Sequence, residues 1–119
     1  MGRQLESLNL ERVTRMIQNY PSKYPTPKWL TFIYSALEDN WKVKLLRAQT
    51  TVSKYVFIQK GSQHFKIRFS DHKPNPRIEE KRDSDFYVGL HNNGCVTTEN
   101  LLTQLQIPII WVNRESLKR

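Results

Sequence analysis

Residues 54–70 read KYVFIQKGSQHFKIRFS. Aliphatic and aromatic residues alternate with Lys, Arg and His on either side of Gly61-Ser62. Alternation with period two marks half-buried strands, and Gly at the first central position suits a two-residue hairpin loop. The pattern therefore predicts an antiparallel pair, 54–60 with 64–70. A two-residue loop also fixes the register, and directly opposed residues share a face. Ile58 then meets Phe65 and Val56 meets Ile67, which makes a core side. Gln59 meets His64, Phe57 meets Lys66 and Tyr55 meets Arg68 on the other side. Flat rings and cations thus share a face that in most half-exposed sheets is plainly polar.

Two arrangements account for such a face. Rings beside Lys and Arg form a platform on which unpaired bases stack while the cations meet phosphates. Alternatively a helix covers Tyr55 and Phe57, and the Lys and Arg stems pack along the rings with their charged heads in water. The charge distribution favours an anionic partner. Residues 41–82 carry eleven Lys/Arg against three Asp/Glu, which equals the whole net charge of +8. The segments on either side nearly cancel, at five against four and three against four. Charge focused in this way is the footprint of a polyanion-binding surface.

Outward from the hairpin, Trp41, Val43 and Leu45 alternate with Lys42 and Lys44, a third strand with a basic outer side. Upstream, Asn9 is placed to cap a helix whose Leu10, Val13, Met16 and Ile17 follow the spacing of one buried face. Pro21 and Pro25 end it. Thr26-Pro27 reads as N-cap and first position of a second helix with a stripe of Trp29, Leu30, Ile33, Tyr34 and Leu37, ending near Glu38-Asp39-Asn40. The connection between the two helices is too long for a helix-turn-helix, and Lys28 is the second helix's one base, so both helices read as scaffold.

Downstream, residues 73–85, KPNPRIEEKRDSD, read as a polar loop, followed by a strand at Phe86–Leu90 and a turn at His91–Gly94. Thr97 or Thr98 caps a short helix carrying Leu101, Leu102 and Leu105. Ile107–Val112 reads as a closing strand with Pro108 at its beginning or on an edge, and 113–119 as a solvated tail. The expected fold class is α+β in one domain spanning 1–119: two N-terminal helices, an antiparallel sheet of three or more strands, a short helix and the closing strand. A chain of 119 residues buries roughly two-thirds of its unfolded surface in one core.

The candidate nucleic-acid-binding set is Lys42, Lys44, Tyr55, Phe57, His64, Lys66 and Arg68, joined by Lys73 and Arg77 from the loop. No catalytic residue, metal ligand or cofactor is assigned. Cys95 with His64, His72 and His91 lacks the close paired spacing of zinc ligands. Asp71, His72, Glu79, Glu80, Asp83 and Asp85 are of the types that hold Mg²⁺ in a nuclease, but their spacing matches no metal pattern. One cysteine makes no internal disulfide, no apolar run nears the roughly 20 residues of a membrane helix, and no secretory leader is visible. The expectation is a cytoplasmic protein without a membrane segment.

Ile67-Arg68, Ser70-Asp71-His72, Asp85-Phe86, Val88-Gly89 and Thr97-Thr98 together resemble a pattern in small, mostly uncharacterised proteins encoded by phages and plasmids. The resemblance spans about residues 65–98. It implies a mobile-element origin and a bacterial cytoplasm, and supplies no catalytic residue. Such proteins handle nucleic acid or, like anti-CRISPR inhibitors, block host defence complexes. The expected function is thus non-enzymatic binding of single-stranded DNA or RNA. The alternatives are an inhibitor contacting an acidic host protein or nucleoprotein complex, and a metal-dependent nuclease.

Overall fold

The 54–69 stretch folds as the hairpin its alternation predicts. Lys54–Lys60 and Gln63–Phe69 pair antiparallel, with Ile58 opposite Phe65, Phe57 opposite Lys66 and Tyr55 opposite Arg68. Gly61 lies at φ +60° while Ser62 does not have positive φ, the pattern of a type II′ turn, whose twist matches that of the flanking strands. The computed structural model describes residues 5–21, 26–47, 54–69, 77–82, 86–89, 97–113 and 115–117.

Among the described residues six strands form one sheet in sequence order: β1 (Glu6–Leu8), β2 (Lys42–Arg47), β3 (Lys54–Lys60), β4 (Gln63–Phe69), β5 (Arg77–Arg82) and β6 (Phe86–Gly89). Every adjacent pair is antiparallel. Helices α1 (Leu10–Gln18) and α2 (Lys28–Glu38) lie between β1 and β2 in the chain, and α3 (Thr98–Gln104) follows β6. The fold is α+β, two layers deep. Helix α2 packs on β2 and β3, with α1 and α3 against it. Val43, Leu45, Val56, Ile58, Phe65 and Ile67 supply the sheet side of the core; Val13, Ile17, Leu30, Phe32, Ile33, Leu101 and Leu102 supply the helix side.

The caps show why the helices begin and end where they do. The Arg12 amide donates to Asn9 Oδ1 at 2.8 Å, and the Asn100 amide donates to Thr97 Oγ1 at 3.0 Å. Each side-chain oxygen satisfies a first-turn donor that has no partner within its helix. Helix α2 starts one residue later than Thr26-Pro27 implies: Pro27 is its N-cap, with no side-chain cap bond. Lys28, in its first turn, pairs with Glu99 of α3 at 3.0 Å; this hydrogen bond is the main cause holding the Glu99 carboxyl below its ordinary pKa. Both α2 and α3 end in Schellman turns. Trp41 N–H reaches Ala36 O and Ile107 N–H reaches Leu102 O, and Asn40 (φ 68°) and Gln106 (φ 60°) occupy the left-handed position. Gln106→Gly is therefore expected to raise stability by about 0.5–1 kcal/mol, the left-handed penalty less the extra chain entropy of glycine. Urea unfolding checks this, and a loss of stability would contradict the conformational argument.

Four expectations need correction. The loop expected at 73–85 contains strand β5: Arg77–Arg82 pairs with β4, Ile78 opposite Ile67. Five of its six residues are charged, so it lacks the apolar alternation that marks a half-buried strand. Strand β1 went unforeseen because three residues carry no period. The closing strand at Ile107–Val112 does not form. Pro108 has no N–H, the Ile107 amide is taken by α3, and the Ile110 amide donates to Ser35 Oγ at 3.0 Å, so these two donors go to the helical layer. Ile107 and Val112 are buried and Trp111 is 60% exposed. The expected tail is partly tied down: Leu117 packs against the core and its carbonyl accepts from Gln18 Nε2 at 3.0 Å. The turn at His91–Gly94 lies outside the described residues.

Candidate functional site

Strand alternation builds the outer face of the sheet in rows. Lys42, Gln59 and His64 lie side by side across β2, β3 and β4; Lys44, Phe57 and Lys66 form the next row, and Leu46, Tyr55 and Arg68 the third. The two rings sit two residues apart on β3, about 7 Å along the strand. A cation stands beside each ring on β4, and Lys44 stands beside Phe57 on β2. Lys42, Lys44 and Arg68 are exposed, whereas Tyr55, Phe57, His64 and Lys66 are half-buried. Lys66 Nζ lies 5.3 Å from the centre of the Tyr55 ring and Arg68 Cζ 5.7 Å, within cation–π range.

Seven of the nine expected residues therefore lie on the outer face of β2–β4. Arg77 stands opposite Arg68 in the β4–β5 register, and Glu79 stands opposite Lys66. The cation rows thus end beside a strand of mixed charge. Lys73 lies outside the described residues. Among the described residues no helix covers Tyr55 and Phe57, since α1, α2 and α3 belong to the core layer on the other face. The covered-face alternative is not what these residues form. Helix α2, with Leu30, Phe32, Ile33 and Ala36 buried, is scaffold as expected.

Not every cation of the middle segment serves this face. Lys60 Nζ donates to Asp39 O at 2.7 Å and lies 5.6 Å from the Trp41 ring centre, while Trp41 Nε1 donates to Asp39 Oδ2 at 3.1 Å. This cluster fastens the β3 end to the turn after α2. Lys54 lies over Trp29 of α2 at 5.3 Å. Both lysines are on the core-facing side of the alternation.

Leu5 and Leu46, absent from the sequence-derived set, complete the site. With Tyr55, Phe57 and Lys66 they line a hollow of about 570 Å³, and a second of about 380 Å³ adjoins it between Leu5, Lys42, Lys44, Phe57 and His64. Leu5 is 51% exposed. The adjacent pair Leu45-Leu46 was the available signal, because it interrupts the alternation and leaves one leucine facing outward. Leu5 had no such signal, since β1 itself was illegible.

Among the described residues no three His, Cys, Asp or Glu side chains gather as a metal site. Asp71, His72, Asp83, Asp85, His91 and Cys95 lie outside those residues. No helix among them is long and apolar enough to cross a membrane. Comparison with protein-family models, curated proteins and solved structures gave no match.

Proposed function

We propose that this chain binds single-stranded nucleic acid, without catalysis, through the outer face of β2–β4. One observation carries the reading: Phe57 stands between Lys44 and Lys66, and Tyr55 beside Arg68, on a sheet face that the described helices leave open. Unpaired bases expose flat π-surfaces for these rings, while Lys42, Lys44, Lys66 and Arg68 meet phosphates. A paired and stacked duplex hides those surfaces and offers only its backbone charge. The resemblance over residues 65–98 supports a setting as an accessory protein of a phage or plasmid in a bacterial cytoplasm.

A second reading draws on the apolar centre at Leu5 and Leu46. Apolar residues ringed by cations also suit an acidic protein surface or a guide-RNA complex, as an anti-CRISPR-like inhibitor would use. Fluorescence anisotropy with single-stranded DNA, single-stranded RNA and duplex at two salt concentrations separates the readings. The single strand is expected to bind more tightly than the duplex, and Tyr55→Leu is expected to weaken it by about 1–3 kcal/mol, the usual worth of a base–aromatic stack. Absence of binding to all three at low salt would leave the inhibitor reading. Metal-dependent strand cleavage by the purified protein, lost on changing Asp71, His72 and Asp85 to Ala, would establish a nuclease.

A further inference from the structure

We propose that the hollow between Leu5, Leu46, Tyr55, Phe57 and Lys66 seats one unstacked nucleobase, so that the face inserts a base in addition to stacking bases on its surface; this rests on the single-strand reading above. The residues at this spot are odd for a solvated sheet. Leu5 is 51% exposed, and Leu46 faces outward where Lys42 and Lys44 occupy the equivalent positions of the same strand. Ser7 opposes Lys44 across β1–β2, so Leu5, two residues earlier, shares the outward side and stands beside Leu46. These two aliphatic side chains, with Tyr55, Phe57 and Lys66, therefore line an open hollow of about 570 Å³, which is room enough for a small heteroaromatic ring. Such a space offers a flat heteroaromatic ring both aliphatic and aromatic surface to rest against.

The charges favour a nucleotide as the occupant over other apolar groups. Lys44 and Lys66 flank Phe57 from opposite strands, two strand spacings or about 9.5 Å apart along the hydrogen-bonding direction. Arg68 stands beside Tyr55. A base in the hollow would lie between Lys44 on β2 and Lys66 and Arg68 on β4, so the phosphates that precede and follow it run past positive charge. A second copy of the chain fits poorly, because its own Lys42, Lys44, Lys66 and Arg68 would meet the same four cations.

The test compares a short oligothymidylate with an abasic strand of the same length and charge, by anisotropy at low salt, against the parent protein, Leu5→Ala and Leu46→Ala. Both leucines contact solvent, so truncation leaves the core intact, and circular dichroism verifies folding. The abasic strand is expected to bind the parent about 5- to 150-fold more weakly. Each leucine variant should weaken the base-bearing strand by about fivefold and leave the abasic strand unchanged. Leucine variants that bind both strands like the parent, while Tyr55→Leu still weakens the thymidylate, would overturn base insertion and leave surface stacking standing. Polyglutamate of equal charge competing as well as oligothymidylate would also overturn it, because the hollow would then be reading charge alone. Failure of every strand to bind would remove the nucleic-acid reading itself, and the inference with it.

Discussion

Replacing Phe32 by Ala is expected to lower folding stability by about 3–5 kcal/mol, a large part of the roughly 5–15 kcal/mol that holds a domain folded. Phe32 is fully buried at the centre of α2, and its ring lies 5.7 Å from that of Phe69 on β4. It touches both layers, so truncation leaves a cavity that neither the sheet nor the flanking helices can close without moving. Urea unfolding monitored by circular dichroism measures the loss. Trp111→Ala, at a residue 60% exposed, is the control and should change stability by no more than about 0.5 kcal/mol. A Phe32→Ala protein within about 1 kcal/mol of the parent would be incompatible with α2 as the central helix of the core.

The salt dependence of binding should separate the two groups of lysines. If Lys42, Lys44, Lys66 and Arg68 each neutralise a phosphate, the log–log slope for a single strand lies near −3, at about −0.7 per contact. A fourfold rise in salt then weakens binding about 50-fold. The double variant Lys42→Ala, Lys44→Ala should halve the slope, so the same rise costs only about sevenfold. Lys60→Ala should leave the slope unchanged, because Lys60 is held by Asp39 on the core-facing side. Equal flattening by Lys60→Ala would mean that overall positive charge, and not the β2–β4 face, binds the strand. Tyr55→Leu should weaken binding with the slope nearly kept, since stacking releases few counterions.

The hairpin was legible because its information is local. Period-two alternation and a glycine at the turn specify register without reference to the rest of the chain, so Tyr55, Phe57, Lys66 and Arg68 could be placed on one face from sequence. The caps at Asn9 and Thr97 were legible for the same reason: each is a contact over three residues. Strand β5 was not legible. What identifies it is pairing to β4, and neither Ile78 nor its charged neighbours carry a period that announces that pairing.

Helix α2 shows the same division. Its sequence marks a stripe of Trp29, Leu30, Ile33, Tyr34 and Leu37, yet Phe32 and Ala36 are fully buried while Trp29, Tyr34 and Leu37 are only partly so. A single stripe describes a helix with one partner. This one is packed by the sheet, by α1, by α3 and by the Ile107–Val112 segment, so more than one side is enclosed. The Ile107–Val112 segment itself has strand composition, but the end of α3 takes the Ile107 amide and Ser35 the Ile110 amide.

Alternation, turn chemistry and capping act over a few residues, so the α+β class, the 54–69 register and the gathering of rings with cations can be read along the chain. That α1, α2 and α3 take the Ile58–Phe65 side and that Leu5 joins Leu46 beside the rings emerges only when the layers assemble. Those outcomes depend on which faces bury most apolar surface once the whole chain is assembled, and burial is a property of the assembled layers, not of any one segment.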